Sequence, residues 1–177
     1  MDKRTIQFTA QRVIYDTSAP VSTVCARLDE ELHRSEDGTS VINVMNSSKS
    51  REELESGIQG ITRGHDFMFF GAIKHHDWLN AWTGNTTNPV PEIHVYTLGN
   101  PLIAQTMLRH ELATGLHVPP RILVLEKEDR SGTLVVYDLP SSIISPGLSG
   151  RVNEELKKAA EGLDEKLERL VTKVTRS

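Results

Sequence analysis

The feature that most constrains the fold is a β-hairpin in the second half of the chain. Arg121–Glu126 and Thr133–Asp138 are both rich in apolar and β-branched residues, and residues 127–132 between them form a charged turn that contains a glycine. Strands joined by so short a turn pair antiparallel. Because helical patterns stand between the earlier strands, the sequence predicts an α+β fold rather than a doubly wound parallel sheet.

The last part of the chain predicts a long helix. It follows a linker rich in Ser, Pro and Gly, residues 140–150, and its apolar residues recur at three- and four-residue steps: Val152, Leu156, Ala159, Leu163, Leu167, Leu170 and Val174. Such a stripe must be covered by the sheet of its own chain or by a partner. We therefore divide the chain into an α+β domain, residues 1–142, and a linker with the C-terminal helix, residues 143–177.

The remaining elements are assigned from periodicity and capping signals. Ser50 followed by Glu53 is a capping box, and Asn100 followed by Pro101 is a helix start. Residues 50–64 would form a helix that is either a lid or a surface excursion. The full set, in chain order, is a strand Thr5–Tyr15, a helix from Pro20, a turn at Asp37-Gly38, a short strand Val41–Met45, the helix from Ser50, a central strand or buried hinge Phe67–Ile73, a helical turn over 75–82, a strand Glu92–Leu98 and the helix from Asn100.

Composition excludes several classes of protein. The 177 residues carry a net charge of −4 and one cysteine, which excludes a disulfide framework and zinc sites built on paired thiolates. No basic block points to nucleic acid, and the longest apolar run, Phe67–Ile73, is far shorter than the roughly 20 residues that span a bilayer. No G-x-G-x-x-G or Walker pattern indicates a nucleotide. We expect a cytoplasmic protein without cofactor, nucleic acid or membrane partner.

Several segments resemble one family. They are Tyr96–Pro101 with its Gly-Asn-Pro helix start, Gly115–Pro119, Val136–Ser142 with its Tyr-Asp-Leu-Pro-Ser ending, and His75–Leu79. In this order they resemble the domain of unknown function 302 family, in particular its fungal-type members. The resemblance implies a curved, mainly antiparallel sheet with helices packed on one face, often a homodimer, and no established activity. In the family pattern His75 ends the middle strand, and Asn100 is the asparagine of Gly-Asn-Pro.

Glu92, His94 and Tyr96 form the pattern with the most chemical potential. They share one face of the strand Glu92–Leu98 and would supply a carboxylate, an imidazole that titrates near neutral pH and a phenol to one pocket. The alternative is that this face points to solvent, with the apolar residues of the strand buried on its other side. With His75, these three residues are the candidate catalytic residues.

A metal site is the less favoured interpretation of the histidines. His75 and His76 are adjacent and point to opposite faces of any extended stretch, so they cannot easily bind one ion. A His/His/Glu cluster with Glu92 and His94 is conceivable. Because the chain offers neither a thiolate nor a helical His pair to support it, we predict hydrogen-bonded structural histidines and no metal.

Trp78, Trp82, Asn100 and Tyr137 are the candidate ligand-binding residues. The two tryptophans are four residues apart, on one side of a helical turn. There they would complete the core or, beside a histidine, form the apolar wall of a ligand site, and core burial is favoured.

Three functions are compatible with these patterns, and whether the chain is an enzyme is left open. The first is a small-molecule-binding domain with a mostly apolar cavity and a few polar groups, from His75, Glu92, His94, Tyr96 and Tyr137. The second is a cofactor-independent acid/base enzyme, an isomerase, cyclase or lyase acting on a small metabolite, with His94 or His75 as base and Tyr96 or Glu92 as acid. The third is a dimeric interaction module without ligand, whose interface uses the final helix.

Overall fold

The computed structural model describes residues 1–34, 40–84 and 87–176. These residues form an α+β fold with a long C-terminal helix, as predicted. The elements are, in chain order, β1 (Arg12–Thr17), α1 (Val21–Glu31), α2 (Ser40–Ser47), α3 (Arg51–Thr62), β2 (Met68–Lys74), α4 (His75–Thr83), β3 (Ile93–Gly99), α5 (Pro101–Leu108), a 3-10 helix (Leu112–Leu116), β4 (Arg121–Glu126), β5 (Thr133–Asp138), α6 (Pro140–Ile144) and α7 (Glu154–Val174).

The strands form one open antiparallel sheet in the order β1, β5, β4, β3, β2. The predicted hairpin is confirmed as β4 and β5, with Leu125 opposite Leu134. The prediction of a central strand at Phe67–Ile73 is wrong, because β2 lies at the edge of the sheet. The apolar residues of β2 are explained by two separate cores. Phe69 packs into the main core, whereas Met68 packs into a second, smaller core with α2 and α3.

The main core lies between one face of the sheet and the helices α1 and α7. The apolar stripe of α7 is buried there, through Leu156, Ala160, Leu163, Leu167, Leu170, Val171 and Val174. The prediction that Val152 belongs to this stripe is wrong, because Val152 precedes the helix and is exposed. On the same side of the sheet, β3 contributes His94, Tyr96 and Leu98, and all three are buried. The interpretation that this face of β3 points to solvent is therefore wrong. We refer to this side of the sheet as the inner face.

The first strand is shorter than predicted. We expected it to begin at Thr5, but it begins at Arg12. Among the described strands it pairs with β5 alone, which is six residues long, and the register pairs Arg12 with Asp138 and Thr17 with Thr133. Residues 5–11 lie outside the sheet and are mostly exposed.

The region after α1 differs from the prediction of a short strand at Val41–Met45, because these residues form α2. Val41 and Val44 are three residues apart and pack on one side of the helix, in the small core around Ile58. A Cβ on Gly57 of α3 would lie 2.6 Å from a methyl carbon of Val44, so glycine permits the close approach of α2 to α3. The turn predicted at Asp37-Gly38 lies outside the described residues.

Both predicted helix starts are confirmed in detail. The Ser50 hydroxyl accepts a hydrogen bond from the Glu53 N–H at 3.1 Å, and the Glu53 carboxylate accepts one from the Lys49 N–H at 2.8 Å. Asn100 Oδ1 accepts from the Leu102 N–H at 2.9 Å, one residue after Pro101. Among the described residues, no helix is long and apolar enough to cross a bilayer.

Candidate functional site

The start of β3 brings together two histidines and a carboxylate. His94 Nε2 lies 2.8 Å from Glu92 Oε2, and one ligand atom each from His76, Glu92 and His94 lie within 4.8 Å of one another. The His76 and His94 rings have centroids 4.8 Å apart. We call these three residues the His76–Glu92–His94 cluster. The carboxylate orients the His94 imidazole, which is the arrangement that proton transfer requires, but its use in catalysis stays a prediction.

The backbone around the cluster holds its side chains in place. Ile93 presents both its N–H, at 3.0 Å, and its C=O, at 3.2 Å, to Nδ1 of His76. The Glu92 N–H donates to the Glu126 carboxylate at 2.9 Å, and the Glu126 N–H donates to the Glu92 C=O at 2.9 Å. Arg130 forms an ion pair with Glu126. The start of β3 is therefore fixed to β4 through side-chain and backbone bonds.

His75 does not belong to this cluster. Its Nδ1 accepts a hydrogen bond from the indole N–H of Trp78 at 3.0 Å, on the outside of α4. Trp78 and Trp82 are 54 % and 86 % exposed. The prediction that they complete the core is wrong, because α4 lies at the end of β2 and contributes no buried residue.

Tyr96 lies further along β3, where its buried ring ends in a polar network with the partly exposed Asp29 and Arg34. Its hydroxyl donates to Asp29 Oδ1 at 3.0 Å, and Asp29 also accepts from Arg34 at 3.1 Å. Burial, together with the neighbouring Cys25 and Asp29, raises the pKa of Tyr96 well above its usual value. Burial also raises the pKa of the Cys25 thiol. Both groups therefore stay protonated at neutral pH, so the Tyr96 hydroxyl is held as a donor to α1.

Tyr137 lies on the inner face of the sheet, two strands from Tyr96. Ile122 is opposite Tyr96 in the register of β3 and β4, so about 10 Å of sheet separates the two tyrosines. Tyr137 is 4 % exposed and stacks on Tyr15 with ring centroids 6.5 Å apart. Burial is the main cause of the raised pKa of Tyr137, and the neighbouring Tyr15 and Glu168 raise this pKa further.

A pocket of about 180 Å³ opens at the other end of β3. Its walls come from the start of β2, from α5 and from the segment before β4, through Phe67, Phe70, Met107, Val118 and Pro119. Asn100 is the one predicted ligand-binding residue that lines it. The Asn100 side chain also ties the pocket together, because Nδ2 donates to the Asp66 carbonyl at 3.1 Å. None of the described residues from 50 to 64 lines this pocket, whereas Met45 of α2 does.

The predicted site residues thus lie in separate places. Glu92 and His94 are together, and His76, which the sequence reasoning did not choose, joins them. The strand register explains how His76 reaches this site: β2 and β3 pair antiparallel, with Lys74 opposite His94, which brings the first turn of α4 next to the start of β3. For the pocket, one sequence signal was at hand. The segment Gly115–Pro119, which the sequence showed only as part of the family pattern, forms part of the wall of the pocket beside Asn100.

Comparison with known proteins agrees with this architecture. The family model for the domain of unknown function DUF302 matches residues 43–174, which is 132 of the 177 residues. The chain belongs to the DUF302 family. A crystal structure of an uncharacterized conserved DUF302 protein from Bacillus stearothermophilus superposes with a TM-score of 0.62, at 15 % identity, over 93 % of this chain and 98 % of that one. No curated protein matches the sequence.

Membership in the DUF302 family supplies the fold and no activity. At 15 % identity the Bacillus stearothermophilus protein is similar in fold alone. The chemistry that this DUF302 protein can perform therefore depends on the side chains described above.

Proposed function

We propose that the protein binds a small, neutral and largely apolar molecule in the pocket beside Asn100. The observation that carries this proposal is the pocket itself, about 180 Å³ in volume. A cavity of about 150 Å³ that is lined by apolar side chains accommodates one aromatic ring. The space is therefore suited to a single ring or a short branched chain.

The lining residues define the chemistry of the ligand. They are mostly aliphatic, aromatic and proline residues, and none of those that line the pocket in the described part of the chain carries a charge. A charged ligand would lose its hydration without gaining a counter-ion. The polar side chain in the lining is that of Asn100, whose amide also bonds the Leu102 N–H and the Asp66 carbonyl, so the ligand is neutral with at most one or two polar atoms.

Filling the pocket tests this proposal. Ala104 lines the pocket from α5, and Ala104→Leu would occupy part of the space while keeping a good helix former. We expect toluene, used as a probe, to shift the ¹³C-methyl NMR signals of Met45 and Met107, which both line the pocket, and to leave Met1 unchanged. Ala104→Leu should weaken toluene binding at least about tenfold, or about 1.4 kcal/mol.

The matched control is Gln105→Leu, which adds the same side chain on the exposed side of α5. It should bind toluene as the unchanged protein does. Native mass spectrometry of the purified protein should also show a copurified neutral molecule. Equal loss of binding in both variants, or no shift at Met45 and Met107 at saturating toluene, would refute the pocket as the binding site.

A second candidate function, self-association, is favoured by the outer face of the sheet. The outward residues towards the middle of the strands are apolar, whereas the charged residues of this face, Arg12, Asp16, Arg121 and Asp138, lie at the strand ends. The apolar residues are Ile14, Ile73, Ile93, Val95, Leu123, Leu125, Leu134 and Val136. Ile14 and Ile73, on the two edge strands, are 60 % and 57 % exposed. Large contiguous apolar patches of this kind mark interaction sites. We propose that a second copy of the chain covers this face.

The size of the outer face fits such an interface. Strands of about six residues are about 20 Å long and lie about 4.8 Å apart, so five of them present roughly 500 Å². Two copies together would bury about 1,000 Å², the lower limit for a specific interface. α7 is not available for this contact, because its apolar stripe is buried against its own sheet.

A charge on the outer face should separate the two copies. Ile14→Asp would place a carboxylate in the apolar interface, where its desolvation opposes association. By light scattering after size exclusion we expect two chains per particle for the unchanged protein and one, of 19.7 kDa, for the variant. Ile42→Asp, at an exposed isoleucine of α2, should remain dimeric. An unchanged protein that is itself monomeric would end this proposal.

A further inference from the structure

We propose that His76, Glu92 and His94 bind one divalent transition-metal ion, at a site that the sequence pattern alone did not favour. One ligand atom from each lies within 4.8 Å of the other two, and His94 Nε2 is 2.8 Å from Glu92 Oε2. Bonds of about 2.0–2.2 Å to imidazole nitrogen and carboxylate oxygen bring such atoms about 3–3.5 Å apart. Side-chain adjustments of about 1 Å would therefore close the cluster around an ion.

The ligand types decide the class of ion. Two imidazoles and a carboxylate form a borderline-soft set that suits Zn²⁺, Fe²⁺, Co²⁺ and Ni²⁺ better than Ca²⁺ or Mg²⁺, which prefer oxygen ligands throughout. Three protein ligands leave at least one coordination position for water, as in catalytic rather than structural sites. The inference goes beyond the proposed ligand pocket, which lies at the opposite end of β3.

The hydrogen bonds of His76 are compatible with metal binding through Nε2. With its proton on Nδ1, His76 donates to the Ile93 carbonyl, at 3.2 Å, and leaves the Nε2 lone pair free. A backbone carbonyl on the second nitrogen is a common way to orient a metal-binding histidine. With the proton on Nε2, the Ile93 N–H can donate to Nδ1 and Nε2 faces Asp77 Oδ1 at 3.3 Å. The Ile93 backbone thus accommodates both tautomers.

The His94–Glu92 contact accounts for the proton that the ion would displace. When neither residue holds an ion, a proton between His94 Nε2 and Glu92 Oε2 makes the 2.8 Å hydrogen bond. An ion that binds both atoms takes the place of this proton, and a neutral His94 then carries its proton on Nδ1 instead. Binding to the neutral imidazoles therefore releases no proton, and the Glu92 carboxylate offsets one of the two positive charges of the ion.

Burial gives the cluster a rigid side and an open side. His94 is 7 % exposed and sits within the inner face of the sheet. The Glu92 side chain is 45 % exposed, so an ion can enter past it. Lys74 is opposite His94 in the strand register, but Lys74 is exposed and its ammonium can extend into water.

Zn²⁺ titration of the untagged full chain tests the proposal. We expect calorimetry to show one tight site per chain. Glu92→Gln keeps the shape of a half-exposed side chain but removes the anionic ligand, and His76→Gln removes an imidazole. Because loss of a supporting group alone weakens metal sites about 10–100-fold, each variant should raise the Zn²⁺ dissociation constant at least about 100-fold.

His75→Gln is the matched control, since it removes the adjacent histidine, which contacts Trp78 and not the cluster. It should bind Zn²⁺ as tightly as the unchanged chain. Visible absorption of bound Co²⁺ should show four- or five-coordination in the unchanged chain and be lost in Glu92→Gln. Far-UV circular dichroism identifies any variant that fails to fold. If His76→Gln does not fold, the Zn²⁺ affinity of Glu92→Gln relative to the unchanged chain tests the proposal. Equal affinity in Glu92→Gln and the unchanged chain, or equal loss in His75→Gln, would overturn the proposal.

Discussion

Replacing Leu167 by alanine should lower the free energy of unfolding by about 2–5 kcal/mol, which is the usual cost of removing a large buried aliphatic side chain. Leu167 is completely buried at the centre of α7, in the main core between this helix and the sheet. The loss has two sources: apolar surface that is no longer buried and a cavity that the neighbours do not refill. Urea denaturation followed by far-UV circular dichroism measures it. Tryptophan fluorescence is unsuitable because Trp78 and Trp82 are exposed.

Glu165→Ala on the same helix is the control for Leu167→Ala. Glu165 is exposed, and alanine is the best helix former, so the free energy of unfolding should change by no more than about 0.5 kcal/mol. If Leu167→Ala cost as little as Glu165→Ala, α7 would not be packed on the sheet in solution.

Gly132→Ala should be the most damaging glycine-to-alanine substitution in the part of the chain that the structure describes. Gly132 ends the β4–β5 turn with φ +151°, and a Cβ there would lie 2.1 Å from the carbonyl oxygen of Thr17 and 2.9 Å from Cα of Ser18. Both contacts are backbone atoms at the end of β1, which cannot rotate away. The backbone strain and the overpacking each cost about 1–3 kcal/mol, so we expect a loss of at least about 2 kcal/mol. Thermal unfolding measures this loss.

Gly60→Ala is the opposite case and serves as the control for Gly132→Ala. Gly60 lies within α3, and nothing is within 4 Å of the position of its Cβ. Alanine should therefore stabilise the protein by about 0.5–1 kcal/mol through helix propensity and reduced chain entropy. A stabilising effect of Gly132→Ala would contradict the close contact between the β4–β5 turn and β1.

The elements that could be predicted are those whose signals are local. The hairpin, the caps at Ser50 and Asn100 and the stripe of α7 depend on residues within a few positions of one another. The errors at Val41–Met45 and in the position of β2 have the opposite origin. A short apolar run fits a helix or a strand equally well, and its place in the sheet depends on distant partners: Met68 is buried because α2 and α3 cover it.

The same distinction applies to the candidate sites. Glu92 and His94 could be placed together because residues two apart on a strand share a face. The choice of His76 over His75 depends on how α4 turns after β2, which periodicity does not show. The pocket beside Asn100 is assembled from five separate segments, including Leu163 of α7, so its lining required the tertiary structure. Tyr96 and Tyr137 share a face as their strands indicate, but Ile122 lies between them.

The pairing of β1 has a consequence for biosynthesis. Of the strands that the structure describes, β1 pairs with β5 alone, and Arg12 and Asp138, which form an ion pair across these strands, are 126 residues apart. Translation adds about 5–20 residues per second, so roughly 6–25 s pass before the partner of β1 leaves the ribosome. Throughout that interval the nascent amino-terminal segment has no strand to join. Although β1 precedes the other strands of this sheet in the chain, it is therefore among the last of them to be placed.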